Sequence, residues 1–258
     1  MNLVIGNSSQ LSHYFPENYV KISSRNIDLA HLDHNWDAVY ITFAEQRIYD
    51  VGIDYITPNY FYTLNIINSL LDKSNKIVCY TSCELWNELS GAISAKTDPK
   101  FYPLTNEYAI SKLLLFNKIK ELRKIDIRYN KVIFIHPFYF NSIYRSKYFL
   151  FGKIFNSILN KEKIIVGNLN FYRDIVHTKY IVTKSIEASS DSVVGSGELT
   201  NIKNLTKDLY KANNMSFEEF VFEDNLPPQK EKLIFAETSD IYTYQDLLSD
   251  MQCDIIKA

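Results

Sequence analysis

Glycine is scarce in this chain, with seven among 258 residues, and cysteine is scarcer still. The three cysteines, Cys79, Cys83 and Cys253, are odd in number and lack the spacing of a disulfide framework, which indicates free thiols in a reducing cytosol. No apolar run reaches the ~18 residues that a membrane-spanning helix needs. The first ten residues, MNLVIGNSSQ, have neither a basic flank nor a small-residue cleavage site, so we expect no signal peptide.

An excess of charge of one sign is also missing. The formal net charge of −2 gives no electrostatic footprint for nucleic acid or for an anionic membrane surface, so neither is an expected partner. The hydrophobic fraction of 46% and the charged fraction of 22% are those of an ordinary globular protein. The length allows one large domain, or a domain with a small lobe.

Short apolar runs alternate with helical patterns through the first half of the chain. Strands are predicted at 2–6, 19–25, 37–44, 75–86 and 130–138, and helices at 58–73 and 106–122. The small polar residues after the first strand could cap a further helix, and DHNW (33–36) predicts a turn before the third strand. This alternation is typical of an α/β fold, in which a parallel sheet carries helices on both faces.

The pattern loosens after about residue 140. Amphipathic helices are predicted at 148–161 and 200–212, and a loop at 226–232. We therefore divide the chain into a sheet domain at 1–140 and a small lobe at 141–258, with an approximate boundary.

The turn after the first strand, IGNSSQLS, carries one glycine where a dinucleotide-binding fold has several. Gly6 fits the first position of a G-x-x-G-x-x-G pattern, but Ser9 and Ser12 stand at the second and third. In such folds the helix that follows holds the pyrophosphate with its free N–H groups. The alternative is an ordinary strand-to-helix turn.

A tyrosine and a lysine stand four residues apart in EYAISKLLL (107–115). Tyr108 and Lys112 are separated by about one helical turn, so their side chains point to the same face. The pair could be solvated, or it could hold a phenol beside an ammonium so that the phenol exchanges protons. The spacing alone leaves both interpretations open.

Four stretches in order resemble the extended short-chain dehydrogenase/reductases, the NAD(P)-dependent nucleotide-sugar epimerases, dehydratases and reductases. The first turn is one of them, and Asn59, Thr63 and Asn65 fall on the N-x-x-G-T-x-N helix pattern without its Gly. Ser82 falls on the Ser/Thr at a strand end, and EYAISK contains the Y-x-x-x-K pair. The segment 171–188, FYRDIVHTKYIVTKSIEA, matches a further family segment, and the resemblance covers roughly residues 2–215.

The resemblance implies a Rossmann-like, doubly wound parallel sheet with a small C-terminal substrate-binding lobe. It also implies that Tyr108 is the acid/base, that Lys112 lowers its pKa and binds the nicotinamide ribose, and that Ser82 binds the same substrate oxygen. Glu84, two residues after Ser82, matches the base that removes the C5 proton in sugar-nucleotide 4,6-dehydratases. A solvated carboxylate is the alternative for Glu84, and a small buried side chain is the expectation for Cys83.

The same resemblance implies a cofactor site and a substrate site, and no metal. The cofactor residues come from the first turn, the ends of later strands and the active-site helix: Gly6, Ser9, Gln10, Leu11, Ser24, Arg25, Asp28, Ala44, Tyr108, Lys112 and Pro137. At the end of the second predicted strand, where an NAD site would have an acidic residue, this chain has Ser23, Ser24 and Arg25. These residues resemble the 2′-phosphate pocket of NADP enzymes, so NADP is favoured over NAD. The alternative is that Arg25 is merely an exposed charge.

Some positions depart from the family pattern. The stretch HPFYFNS keeps Pro137 of R-P-x-N-x-x-G but has His136 for Arg and Tyr139 for the substrate-binding Asn. Asn141 could substitute for that Asn only if the loop shifts, and His136 is expected to be structural. Arg173 fits the Arg that binds the nucleotide diphosphate; the alternative is a structural pair with the neighbouring aspartate.

Together these observations give an order of functions. The first is a cytoplasmic nucleotide-sugar epimerase or dehydratase that oxidises the sugar transiently at C4, as a homodimer, in surface polysaccharide synthesis. The second is an NADPH-dependent 4-keto nucleotide-sugar reductase, because SSRNIDL (23–29) also resembles the dTDP-4-dehydrorhamnose reductases. The third is a non-catalytic NADP-binding regulator, which the scarce glycines and the altered HPFYFN loop would suit.

Overall fold

The structure is a computed structural model, and it describes residues 1–25, 27–47, 52–86, 89–99, 106–224 and 233–258. The predicted loop at 226–232 lies outside the described residues. The strands are β1 (Asn2–Ile5), β2 (Val20–Ile22), β3 (Ala38–Ile41), β4 (Ile77–Tyr80), β5 (Gly91–Ile93), β6 (Val132–Pro137), β7 (Tyr139–Asn141), β8 (Ile164–Val166), β9 (Tyr172–Arg173), β10 (Ile175–His177), β11 (Ser192–Val194), β12 (Thr200–Asn201), β13 (Val221–Glu223) and β14 (Ile234–Ala236).

The helices connect these strands. The α-helices are α1 (Leu29–Asp33), α2 (Thr63–Leu70), α3 (Glu107–Ile125), α4 (Leu150–Asn160), α5 (Thr178–Glu187), α6 (Ile202–Ala212), α7 (Phe217–Phe220) and α8 (Tyr244–Lys257). Three 3₁₀-helices span Gln10–Tyr14, Cys83–Trp86 and Ile127–Lys131, and a π-helix at Thr57–Tyr62 leads directly into α2.

A six-stranded sheet has the order β11-β6-β4-β3-β1-β2. The pairs of β1 with β2, β1 with β3, β3 with β4, and β4 with β6 are parallel, with Leu3 opposite Val39 and Val78 opposite Ile133. β3, β4 and β6 are buried along their whole length, which is why they read as continuous apolar runs rather than as alternating ones. The predicted Rossmann-like parallel sheet is confirmed.

The strand order reverses at β1, whose neighbours are β2 and β3. In open α/β sheets, ligands bind beyond the carboxyl ends of the strands at such a point. The turns that follow β1, β2 and β3 lie at this carboxyl-terminal edge of the sheet, and they carry most of the predicted cofactor residues.

The chain forms two compact units, each built from several pieces. The first unit comprises Met1–Glu88, Ala95–Pro137 and Lys184–Ser192, and the second comprises Leu89–Ser94, Phe138–Thr183 and Val193–Ala258. Most of the sheet belongs to the first unit. In the second unit, two-stranded parallel pairs join β5 with β14, β7 with β10, and β8 with β13, while β9 and β12 are antiparallel.

Three local expectations differ from the structure. The helix after β1 is a 3₁₀-helix of five residues, because Pro16 follows it closely and the chain must turn into β2. Before the third strand, where a turn is predicted at 33–36, the short helix α1 extends to Asp33 and the chain bends at His34. The strand predicted at 75–86 ends at Tyr80, and Cys83–Trp86 forms a 3₁₀-helix instead.

Candidate active site

The turn after β1 needs a glycine at residue 6. The φ angle of Gly6 is +114°, and a Cβ there would lie 2.7 Å from the main-chain nitrogen of Phe43 and 2.8 Å from Oγ1 of Thr42. Its N–H donates to the carbonyl of Ile22 over 2.8 Å. One glycine therefore lets the ends of β1, β2 and β3 approach closely at the point where the strand order reverses.

The two serines at the family's glycine positions have hydrogen bonds of their own. The Oγ of Ser9 accepts from the N–H of Leu11 over 3.3 Å and caps the 3₁₀-helix Gln10–Tyr14. The Oγ of Ser12 donates to the carbonyl of Gly6 over 2.5 Å and lies 3.1 Å from Oγ1 of Thr42. These contacts hold the turn in place, and the side chains of Gln10 and Leu11 are buried beneath it.

The segment after β2 leaves Arg25 exposed. Its main-chain N–H donates to Oγ of Ser23 over 3.2 Å, and its guanidinium has no partner among the residues that the structure describes. Asp28 caps α1 by accepting from the N–H of Ala30 over 3.0 Å, so one of its oxygens has a structural role. Ala44, half-buried, follows β3 at the same edge of the sheet.

Tyr108 and Lys112 lie on α3, which begins one residue before Tyr108. Asn106 caps this helix, because its Oδ1 accepts from the N–H groups of Tyr108 and Ala109 at 3.1 and 3.3 Å. The Nζ of Lys112 donates to the carbonyl of Tyr80 over 3.0 Å and lies 6.0 Å from the centroid of the Tyr108 ring. The pair is therefore buried against the end of β4, and the solvated interpretation is wrong: the two residues are 9% and 4% exposed.

The burial of Lys112 has an electrostatic consequence. Burial disfavours the ammonium and lowers the pKa of Lys112 to about 8. A buried charge with one main-chain hydrogen bond is costly to a fold that does not use it. Lys112 therefore stands out as a functional candidate rather than a packing residue.

Ser82 and Glu84 follow β4 and lie next to the start of α3. The N–H of Glu84 donates to Oγ of Ser82 over 3.2 Å, at the start of the 3₁₀-helix Cys83–Trp86, which packs against α3. The Nδ2 of Asn106 donates to Oε2 of Glu84 over 3.4 Å. Through Asn106, the carboxylate is thus linked to the helix that carries Tyr108. Cys83 is buried, as expected.

Asn59 is a site residue that the sequence identified only as part of a motif. Its Oδ1 accepts from the N–H of Glu45 over 2.8 Å, and its Nδ2 donates to the carbonyl of Glu45 and to Oγ of Ser111, both over 3.0 Å. Ser111 in turn donates to the carbonyl of Tyr108 over 2.7 Å. Fully buried Asn59 therefore ties the turn after β3 to the helix of Tyr108.

His136 stands where the family has Arg, and it is a buried, neutral side chain. Its Nδ1 lies 2.5 Å from Oγ1 of Thr81, and the rings of Trp86 and Phe116 pack against it at 5.2 and 5.0 Å. Burial lowers the pKa of His136 to about 4. The structural role expected for His136 fits this environment, and Pro137 ends β6 directly after it.

The comparisons with known proteins identify the fold. No family model and no curated protein matches the chain. Among solved structures, RMD from Pseudomonas aeruginosa in complex with NADPH matches with a TM-score of 0.77 at 16% identity, covering 100% of this chain and 99% of that one. The UDP-N-acetylglucosamine 4-epimerase from Methanobrevibacter ruminantium, in complex with UDP-N-acetylmuramic acid, matches with a TM-score of 0.77 at 15% identity, covering 99% of this chain and 98% of that one. The dTDP-glucose 4,6-dehydratase from Bacillus anthracis, in complex with NAD, matches with a TM-score of 0.77 at 14% identity, covering 100% of this chain and 97% of that one.

The chain has the fold of these solved structures, which are extended short-chain dehydrogenase/reductases. This is the fold that the ordered motifs predicted, although the identities are too low to carry residue roles from one protein to the other. Within this fold, the observed environments of Gly6, Ser82, Tyr108 and Lys112 are the basis for the site assigned here.

The second unit holds the two predicted substrate-binding residues. Arg173 is 6% exposed; its guanidinium lies 5.3 Å from the ring centroid of Tyr139 and 4.8 Å from that of Phe171, and its Nη1 donates to the carbonyl of Tyr172. Asn141 ends β7 and is also buried. Their contacts with substrate remain predictions.

The aspartate next to Arg173 has partners of its own. The carboxylate of Asp174 accepts hydrogen bonds from Ser196, Gly197 and Ala236. These bonds fix the turn before β12 and the end of β14. The buried position of Asp174 is therefore explained without a role in binding.

Within the described ranges, no group of three or more His, Cys, Asp and Glu side chains could hold a metal ion. In the same part of the chain, no helix is long and apolar enough to cross a membrane.

The lowered pKa of Lys112 predicts how stability depends on pH. Between about pH 8 and the ordinary lysine pKa of about 10.4, the unfolded chain binds a proton at Lys112 that the folded chain lacks. The stability of the wild type should therefore rise with pH in this window, relative to Lys112→Met, by on the order of 2 kcal/mol. Urea unfolding of both proteins from pH 7 to pH 10 measures the difference. If the free energies of unfolding of the two proteins changed with pH in parallel, Lys112 would have its ordinary pKa in the folded chain, and the prediction would be wrong.

Proposed function

We propose that the chain is an NAD(P)-dependent enzyme that oxidises or reduces a nucleotide-bound sugar at C4. The observation that carries this proposal is the buried Lys112, which lies beside the ring of Tyr108 and donates to the carbonyl of Tyr80, two residues before Ser82. A protein that only binds a dinucleotide has no need of Ser82, Tyr108 and Lys112 together. We therefore rank the non-catalytic regulator last.

Each residue of the site has a different role in the reaction. A bound nicotinamide would accept hydride from the sugar, or return it. The phenolate of Tyr108 takes the hydroxyl proton as hydride leaves, and the resulting phenol gives the proton back in the reverse direction. Lys112 favours the phenolate through its charge, and Ser82 orients the reacting oxygen by a hydrogen bond. Asn59 and Ser111 hold the helix of Tyr108 against the turn after β3.

The edge of the sheet fits a dinucleotide. Gly6 allows the close approach of strands that the site requires, and a Cβ would fill that space. The cofactor would be held along this edge by Gly6, Ser9, Gln10, Leu11, Ser24, Arg25, Asp28, Ala44 and Pro137, together with Tyr108 and Lys112. The exposed guanidinium of Arg25 suits a 2′-phosphate, which favours NADP over NAD. In the second unit, we assign the nucleotide diphosphate to Arg173 and a sugar contact to Asn141.

Two reactions are consistent with this site. The first candidate is an epimerase or dehydratase; within it, Glu84 beside Ser82 favours the dehydratase, because a carboxylate can remove the proton from C5, the carbon next to the transient ketone. The exposed guanidinium of Arg25 and the NADPH-bound neighbour favour a 4-keto reductase as the second candidate. A cytoplasmic homodimer that acts in surface polysaccharide synthesis is the setting we propose for either reaction.

A thermal-shift screen tests the proposed function. NADPH or NADH should raise the melting temperature, because a ligand that binds only the folded state stabilises it by an amount that grows with the ratio of its concentration to its Kd. A panel of UDP-, dTDP- and GDP-sugars should then show a further rise for one nucleotide class when the cofactor is present. A chain that responds to no dinucleotide would contradict the proposal.

The substitution Arg25→Ala should weaken NADPH binding much more than NADH binding. Loss of a charge-assisted contact with the 2′-phosphate should raise the Kd of NADPH by roughly tenfold to a hundredfold, while the Kd of NADH changes little. Fluorescence titration with each cofactor measures both values. Lys118→Ala, which removes an exposed cation of α3 instead, controls for the change in net charge. Equal weakening of both cofactors would show that Arg25 does not contact the 2′-phosphate.

A further inference from the structure

Tyr62 occupies the position at which the N-x-x-G-T-x-N pattern has glycine. It is the last residue of the π-helix Thr57–Tyr62, and its hydroxyl donates to the carbonyl of Ser24 over 2.5 Å. Its ring lies 5.6 Å from that of Phe43, which follows β3. A single large side chain therefore connects the start of α2 to the turns after β2 and β3.

The segment that Tyr62 holds is the one that carries Arg25. Ser24 precedes Arg25 directly, so fixing the Ser24 carbonyl also limits where the Arg25 side chain starts. Among the residues that the structure describes, Tyr62 is the one that reaches this segment from another element, since the hydrogen bond from the N–H of Arg25 to Oγ of Ser23 is local. The Tyr62 bond therefore adds a contact from a distant element to the local turn of residues 23–25.

The π-helix explains how two of its residues serve different turns. Asn59 reaches the main chain of Glu45 after β3, and Tyr62 reaches Ser24 after β2. π-helical turns are rare and frequently lie at functional sites. Burial also raises the pKa of Tyr62, so its phenol stays protonated and can donate to the carbonyl at neutral pH.

We propose that Tyr62 positions the Ser24–Arg25 segment and thereby sets the preference of the cofactor site for a 2′-phosphate. The inference rests on the proposed function, and it assigns to Tyr62 an effect that acts through the backbone of Ser24. The pairing of Tyr62 with Phe43 leaves both rings half-buried beside this segment, and such aromatic surface suits the purine base of the same adenosine.

The substitution Tyr62→Phe tests the proposal, because it removes the hydroxyl and keeps the ring. We expect the Kd of NADPH to rise about three- to tenfold, which corresponds to one hydrogen bond, and the Kd of NADH to stay within about twofold. In an Arg25→Ala background the same substitution should leave the Kd of NADPH almost unchanged, because the side chain that Tyr62 positions is gone. Adenosine 2′,5′-bisphosphate, which carries the 2′-phosphate without the nicotinamide half, should show the same loss as NADPH.

Tyr60→Phe is the matched control, since Tyr60 lies in the same π-helix and its hydroxyl makes no hydrogen bond with a described residue. It should change neither affinity. Tyr62 would be a general structural residue if Tyr62→Phe lowered the affinities for NADPH and NADH equally. The same would follow if its effect on the Kd of NADPH were fully additive with that of Arg25→Ala. A wild type that binds NADH as tightly as NADPH would also overturn the inference. A wild type that binds neither cofactor contradicts the proposed function itself, so the two failures are distinguishable.

Discussion

Tyr108→Phe should lower kcat by about 10²–10⁴-fold, the usual contribution of a general acid–base group, and leave the fold and the affinity for NADPH nearly unchanged. The change removes one oxygen. The phenyl ring can keep the edge-to-face contact with Tyr55 at 6.3 Å, and Lys112 keeps its hydrogen bond to the carbonyl of Tyr80. The group that exchanges a proton with the substrate hydroxyl is lost.

The measurement needs kcat and cofactor affinity from the same preparation. Turnover is followed with the nucleotide sugar that the thermal-shift screen identifies, and NADPH binding is followed by fluorescence. Tyr129→Phe is the matched control, because its hydroxyl donates to Asn68 over 2.8 Å outside the site and its loss should leave turnover unchanged. A kcat of Tyr108→Phe within about threefold of the wild type would contradict the acid/base assignment.

Glu84→Gln should stop the reaction after hydride transfer if the enzyme acts at C5 of the sugar. The amide keeps the shape of the side chain, and its oxygen can still accept from Nδ2 of Asn106, which lies 3.4 Å from the carboxylate. The base is lost, so the step that needs a proton removed from carbon should slow by about 10²–10⁴-fold. A 4-keto sugar and reduced cofactor should accumulate.

Solvent exchange gives the sharper test for Glu84. In deuterated water the wild type should place deuterium at C5 of the product, and Glu84→Gln should not. Glu107→Gln, the same chemical change at an exposed residue of α3, should behave like the wild type. A wild-type product without solvent deuterium would contradict the C5 mechanism, and the 4-keto reductase would then be the better assignment.

The parallel sheet and the active-site helix could be predicted because local patterns determine them. β3, β4 and β6 are continuous apolar runs, and α3 was expected from residue 106, where the structure has its cap. Tyr108 and Lys112 on one face followed from helical geometry alone. The fold as a whole followed from the order of the motifs, since no single motif was specific.

Other features depend on contacts that are distant in sequence. Lys112 binds the carbonyl of Tyr80, which is 32 residues away, and Asn59 reaches Ser111 across 52 residues. No local pattern encodes such pairs. The helix α8 was missed although a signal was present: Thr243 and Asp246 form a capping box, and Leu247, Met251 and Ile255 recur every four residues on the buried face.

The mass of the products formed from a nucleotide-sugar panel with NADPH and with NAD tests the central claim most directly. We predict that sugars of one nucleotide class are converted in a reaction that depends on Tyr108. A product that has lost water would indicate a dehydratase, and a new stereoisomer of unchanged mass would indicate an epimerase. A product that has gained two hydrogens from a 4-keto sugar would indicate a reductase. A cofactor labelled with deuterium at the transferred position should pass it to C4 in the reductase case. Cofactor binding without conversion of any sugar, or conversion that survives in Tyr108→Phe, would contradict the account.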